Sequence, residues 1–221
     1  MSKVLITGTS SGIGKATAEL FLEKGFNVVG LDIASATITH PNFVHIDCDV
    51  SNVDSLPEIH DLEYLINNAG TIDEETAIAV NLEGYINVAE KYCYSNDNLK
   101  SVLFVGSISG QVGLDTPRYA ASQGGRVSYM KNLAIRMGNE KKIPVNCVSF
   151  GAVLTGLEPN LYSHQELIDA VASENLLKKW IQPEEAAEWL YFVSVVNKSM
   201  TGEEFLIDNG EKANFNFIKS R

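Results

Sequence analysis

The stretch RYAASQGG (118–125) sets a tyrosine four residues ahead of a glutamine, a spacing that bears directly on chemistry. On a helix, positions i and i+4 lie one above the other, so Tyr119 and Gln123 share a face. A side chain that gives or takes a proton works best when its pKa lies near the working pH, and an unperturbed tyrosine titrates near 10. A neighbouring cation is the ordinary means of lowering that value, yet Gln123 is a neutral amide. The pair has the geometry of a proton donor without the charge at i+4.

A second chemical feature is TGTSSGIG (7–14), with Gly8, Gly12 and Gly14 spaced GxxxGxG. Glycines at such a turn permit a tight bend, admit a pyrophosphate close to the backbone, and let helix pack closely on strand. The anion then meets free N–H groups at a helix start. Asp32 stands eighteen residues beyond Gly14, where a carboxylate accepts hydrogen bonds from ribose hydroxyls and repels a 2′-phosphate. Ser11, rather than a basic residue, precedes Gly12, and no Lys or Arg closely follows Asp32. These residues favour NAD over NADP.

The elements that must carry these residues are legible as alternating patterns. Seven near-continuous apolar runs, 3–7, 27–32, 43–47, 64–67, 101–106, 144–149 and 204–208, read as strands covered on both faces. Helical patterns lie at 13–24, 75–94, 119–138 and 183–196, with a weaker one at 163–176. The alternation predicts an α/β fold: a Rossmann-like, doubly wound, seven-stranded and mostly parallel sheet with helices on both faces. At 221 residues, without linker or repeat, the chain reads as one domain over 1–221.

Composition excludes several functions. The formal charge of −11 argues against a nucleic-acid surface, which needs clustered Lys and Arg. Cys48, Cys93 and Cys147 are odd in number and without CxxC spacing, so they read as buried free thiols. The four histidines, His40, His45, His60 and His164, form no HxxxH pair, so no metal site is expected. No apolar run approaches transmembrane length, and no signal peptide precedes KVLIT, so a cytoplasmic protein without a membrane partner is expected.

Further motifs occur in order: CDV (48–50), NNAG (67–70), VNLEGYIN (80–87), GSISG (106–110), SFGAVLTG (149–156) and TGEEFLIDNG (201–210). With TGTSSGIG and RYAASQGG, they make the chain resemble a short-chain dehydrogenase/reductase of the single-domain type over nearly its whole length. The resemblance implies cofactor contacts at Gly8, Ser11, Gly12, Ile13, Gly14, Asp32, Asp49, Val50, Asn68, Ala69, Gly70, Gly151, Val153 and Thr155, with Tyr119 and Gln123 facing the nicotinamide ribose. It implies Asn81, Ser107, Tyr119 and Gln123 as the catalytic positions. In the family, the serine steadies the substrate oxygen against the tyrosine, and the asparagine carbonyl holds a water that leads to solvent.

This sequence departs from the family in three places. Gln123 stands where the family has a lysine that both lowers the tyrosine pKa and hydrogen-bonds the ribose; glutamine keeps only the hydrogen bond. One positive charge about 4 Å away at an effective dielectric near 20 is worth about 4 kcal/mol, or about 3 pKa units. Arg118 and Arg126 are candidate replacements, but Arg118 points about 100° around the helix from Tyr119, and Arg126 lies nearly two turns on. Phe150 replaces the usual proline before Gly151 and would place an apolar wall near the nicotinamide. The segment from Gly70 to Asn81 is shorter than usual, as is that from Asp49 to Asn67, which leaves an open rim.

The segment 156–178 is the expected substrate lid, without a basic cluster, which favours a small neutral alcohol or ketone. The tail 214–221 and the 183–196 helix point to a homodimer or homotetramer, since a monomer would expose two tail aromatics. Two functions fit: an NAD-dependent oxidoreductase of reduced activity, or a catalytically silent dinucleotide binder acting as sensor or partner subunit. A flavodoxin-like module does not explain Asp32 together with GSISG and Tyr119.

Overall fold

A computed structural model describes residues 1–155 and 164–214 of the chain. Seven strands form one parallel sheet: β1 (Lys3–Thr7), β2 (Asn27–Asp32), β3 (Phe43–Asp47), β4 (Tyr64–Asn67), β5 (Ser101–Ser107), β6 (Val145–Phe150) and β7 (Glu204–Ile207). Their order is β3-β2-β1-β4-β5-β6-β7. The chain therefore builds outward from β1 on one side and from β4 on the other. The C-terminal ends of β1 and β4 flank the switch point, where a crevice opens in sheets of this type.

Alternate residues of the strands feed two separate cores, which explains their unbroken hydrophobicity. Leu5, Leu65, Val102 and Phe104 face one layer, where they meet α2 (Gly84–Ser95) and α4 (Pro117–Glu140) through Tyr85, Tyr92, Met130 and Met137. Val4, Ile6, Ile66 and Leu103 face the other, against α1 (Gly12–Glu23) and α6 (Pro183–Tyr191) through Phe21, Leu22 and Leu190. Each such side chain stabilises the fold by about 1.5–3 kcal/mol relative to exposure. A short α3 (Ser109–Val112) follows β5, and α5 (Gln165–Ser173) precedes α6.

Two of these helices start with defined chemistry. Pro117 opens α4 at its first turn, where the missing N–H costs nothing. Gln182 and Glu185 form a reciprocal capping box at α6.

Several expectations need correction. The helix predicted over 75–94 is a π-helical turn, Ala79–Glu83, that leads into α2. The one predicted over 183–196 is α6 followed by a second π-helical turn, Phe192–Val196. Phe150 does not form an apolar wall of the cleft. It ends β6 with its ring buried in the α1/α6 core, because the strand alternation turns it there. Residues 156–163 of the expected lid and 215–221 of the tail lie outside the described residues. Of the remaining lid, 165–173 is helical as α5.

Candidate active site

The turn after β1 is fastened to the end of β4. The Thr7 hydroxyl oxygen accepts the backbone N–H groups of Asn68 and Ala69 at 2.8 and 2.9 Å. The Asn68 side chain donates to the Thr7 carbonyl at 2.9 Å. Gly8 adopts φ +77° and donates its N–H to the Leu31 carbonyl at 2.7 Å. A Cβ on Gly14 would fall 1.9 Å from the Gly8 carbonyl oxygen, so only glycine lets α1 begin this close to the turn.

Asp32 is fixed at the end of β2. One carboxylate oxygen accepts the Ser10 N–H at 2.8 Å and the other accepts the Ala34 N–H at 2.9 Å. Two oxygens offer about four lone-pair sites, so acceptor capacity remains. Asp49 is exposed and accepts both the N–H and the hydroxyl of Ser51.

A cavity of about 680 Å³ runs from this turn to α4. Gly8, Ser11, Gly12 and Ile13 form one end, with Asp32, Asp49 and Val50 beside them. Asn68, Ala69, Gly70, Asn81, Tyr119 and Gln123 also line it, and Thr155 does so close beside Gly12. Of the sequence-identified positions, Gly14, Ser107, Gly151 and Val153 are not on its wall. Gly14 packs against Gly8, and Val153 is buried where it bridges Ile181. Gly151 lies against Asp208 and Glu211.

Ser107 ends β5 and is half-buried. Its hydroxyl donates to the Ser109 hydroxyl at 3.0 Å, and its oxygen accepts the Ser109 N–H at 3.2 Å. Ser109 in turn donates to the Asp115 carboxylate. The serine is thus the inner end of a chain that finishes on a carboxylate.

The shortened segment before Asn81 serves as an anchor for α4. Glu74 accepts the Arg118 N–H at 3.1 Å. The Thr116 hydroxyl first, then the N–H groups of Arg118 and Tyr119, hold its carboxyl below the usual carboxylate range. Asn81 is fully buried on the first π-helical turn. Its side chain exchanges hydrogen bonds with the Thr71 backbone at 2.9 and 2.8 Å.

The carbonyl of Asn81, expected to face a water, accepts Arg126 Nε at 2.9 Å. Arg126 Nη1 donates to the Val105 carbonyl. The guanidinium carbon lies 3.6 Å from the centre of the Tyr85 ring. Burial pushes the Tyr85 phenol above its usual value, and the arginine opposes that shift. Arg126 is 3% exposed, as is Gln123, and both border the cavity. Arg126 Nη2 and Gln123 Oε1 are buried without a partner among the described residues.

Among the described residues, no group of His, Cys, Asp or Glu could hold a metal ion, and no helix is long and apolar enough to cross a membrane. Cys48, Cys93 and Cys147 are buried and free.

A parallel sheet with a glycine turn at its switch point, and a tyrosine-bearing helix beside the crevice, define a Rossmann-like fold with a site at its usual place. A family model described as enoyl-(acyl carrier protein) reductase matches residues 8–212. Tropinone reductase-like 1 of Erythroxylum coca is 33% identical over 202 residues, covering 77% of this chain and 74% of that protein. Carbonyl reductase family member 4 of Xenopus laevis is 28% identical over 239 residues, covering 95% and 98%. The structure of 4-hydroxyisoleucine dehydrogenase complexed with NADH superposes with TM-score 0.85 at 27% identity, covering 97% of this chain and 100% of that one. The chain belongs to the short-chain dehydrogenase/reductase family, and it is an oxidoreductase.

Proposed function

We propose that the protein uses NAD(H) to interconvert a small neutral alcohol and its ketone. One observation carries this reading: Asp32, the glycine turn, Tyr119 and Gln123 border one continuous cavity. The residues suit a dinucleotide. A Cβ on Gly12 would fall 3.0 Å from Thr155 Cβ, so glycine keeps open the gap where a diphosphate would pass. The first N–H groups of α1 lack intrahelical partners, as at every helix start. Asp32 would accept the ribose hydroxyls and repel a 2′-phosphate. Asp49 and Val50 would flank the adenine, and Thr155, which is on the cavity wall as Gly151 and Val153 are not, would border the nicotinamide.

When bound, the nicotinamide supplies hydride transfer. Tyr119 would exchange a proton with the substrate oxygen, and Ser107 would hydrogen-bond that oxygen once its hydroxyl turns from Ser109. Gln123, in the place of the family's lysine, would donate to a ribose hydroxyl without contributing charge. Asn81 holds the Thr71 backbone and so steadies the part of the cavity wall that Thr71 forms.

A second reading, a dinucleotide binder without turnover, draws on the neutral Gln123, whose carbonyl oxygen is buried without a partner. A homodimer or homotetramer in the cytoplasm fits both. Trp189 and Phe192, stacked edge to face on α6 and the turn after it, are 44% and 43% exposed and suit a subunit contact.

The test is NADH formation or consumption over a panel of small alcohols and ketones, for the natural chain and for Gln123→Lys. Turnover by either supports the enzyme. Silence in both, with a thermal shift by NAD, leaves the binder. No thermal shift removes both readings.

A further inference from the structure

We infer that Arg126 is the cation of this site: with the neutral Gln123 in the place of the family's lysine, its guanidinium supplies the stabilisation of the Tyr119 phenolate. The inference rests on the reading that Tyr119 is the proton-transfer group. Arg126 acts as a positioning residue, through the field at Tyr119 rather than by contact with substrate.

Helix geometry brings the group into range. Positions 119, 123 and 126 are spaced i, i+4 and i+7 on α4, so all three lie on one face. Helical side chains lean toward the N-terminus, so an arginine at 126 covers the turn occupied by 122 and 123. Its burial and its place on the cavity wall agree with that direction.

The bonding of the arginine argues that it does more than fill space. Two of its nitrogens donate to the neutral carbonyls of Asn81 and Val105, and its face rests on the Tyr85 ring. Among the described residues it has no carboxylate partner within ion-pair distance. A buried cation without a counter-charge is expensive to hold, and a purely structural site would be better served by an apolar side chain. Its third nitrogen is buried and has no partner among the described residues, so the charge is not fully spent on hydrogen bonds. The arginine also occupies the Asn81 carbonyl, where a relay water was expected.

The other groups around it do not neutralise the charge. Tyr85 of α2 and the Cys147 thiol of β6 are both pushed up by burial and stay protonated near neutrality. Glu74 approaches the start of α4, where it binds the N–H groups of Arg118 and Tyr119. Asp32 ends β2, three strands across the sheet from β5, whose Val105 carbonyl Arg126 binds. Tyr119 is the titratable group of the cavity's inner end that gains most from an unpaired positive charge.

The experiment is NMR titration of ζ-carbon-labelled tyrosine in the protein without cofactor, with the Tyr119 signal assigned by Tyr119→Phe. In the natural chain, Tyr119 is expected to titrate below the ordinary value of about 10. Arg126→Gln, a neutral donor that can still reach a carbonyl, is expected to raise it by about 1–3 units, the usual effect of removing an opposite charge at close range. Arg126→Lys restores most of the lowering, and so does Gln123→Lys combined with Arg126→Gln.

A Tyr119 value at or above 10 in the natural chain overturns the assignment, and that measurement needs no Arg126 variant to fold, only the Tyr119→Phe chain that assigns the signal. So does an unchanged value in a folded Arg126→Gln protein. The titration reads neither turnover nor NAD. A lowered value in a protein that turns over nothing leaves the arginine in place and removes only the enzyme reading.

Discussion

Replacing Asp32 by asparagine tests the cofactor assignment most directly. The carboxylate is held by the N–H groups of Ser10 and Ala34 at 2.8 and 2.9 Å, so it cannot swing away from an incoming 2′-phosphate. A phosphate monoester carries about −1.5 to −2 charges near pH 7. Two unit charges 4 Å apart interact by about 1 kcal/mol in bulk water and about 4 kcal/mol at an effective dielectric of 20. Asp32 is half-buried at the cavity, between those limits, so NADP is expected to bind about 2–4 kcal/mol more weakly than NAD. That is roughly a 30- to 700-fold ratio of dissociation constants. The Asp32→Asn change removes the charge, yet the new amide can accept only one of the two N–H groups. Losing a charge-assisted bond in the turn costs about 1.5–3 kcal/mol, so NAD affinity falls by at least roughly tenfold while the ratio approaches one. Isothermal calorimetry with both nucleotides, at low and physiological salt, measures this. Equal affinity of the natural chain for NAD and NADP refutes the reasoning, as does a ratio that Asp32→Asn leaves unmoved.

Other substitutions probe separate parts of the structure. Gly14→Ala sets a methyl group against the Gly8 carbonyl and is expected to cost about 1–3 kcal/mol, a fall of roughly 3–10 °C in Tm, and to abolish the thermal shift by NAD. Tyr119→Phe is expected to reduce turnover by about 10²–10⁴-fold while leaving that thermal shift intact; a loss of the shift would assign Tyr119 to binding. Burial pushes the Cys93 and Cys147 thiols up to about 12, so both resist alkylation in the native state near pH 8 and react only on unfolding, as mass spectrometry would show. Burial also holds the Glu211 carboxyl above its usual value, so the folded chain binds that proton more tightly than the unfolded one. Its stabilising contribution is full below the unfolded value of about 4.3 and is lost as pH rises through the folded value. Glu211→Gln is therefore expected to melt above the natural chain near neutrality and level with it at about pH 4.

The strands were legible because parallel strands are buried on both faces. Leu5 and Ile6 are consecutive yet feed opposite cores, so both must be apolar. The glycine turn was legible for a different reason: no other residue fits at 14. Phe150 was misread because it stands where the family has a proline beside the nicotinamide, while the two-residue period of the strand turns its own ring into the core. Thr7 and Glu74 gave no signal at all. Their roles depend on loops brought together by β4 and α4, and single threonines and glutamates occur everywhere on a surface.

Arg126 shows the limit of counting along a helix. Seven residues rise about 10.5 Å between Cα atoms, which on the count alone separates the arginine from Tyr119. The same seven residues also return to within about 20° of the starting face. A long side chain that leans back toward the N-terminus then recovers much of the rise. The sequence signal was an arginine three residues after Gln123 on the face that Val127 and Met130 also help bury. A charge at a position that ought to be apolar is informative for that reason: nothing in packing asks for it, so its neighbours must. Here those neighbours are the Asn81 and Val105 carbonyls, the Tyr85 ring and the cavity that Tyr119 borders. The missing charge at position 123 and the unexplained charge at 126 are then one substitution, distributed over a single helical turn.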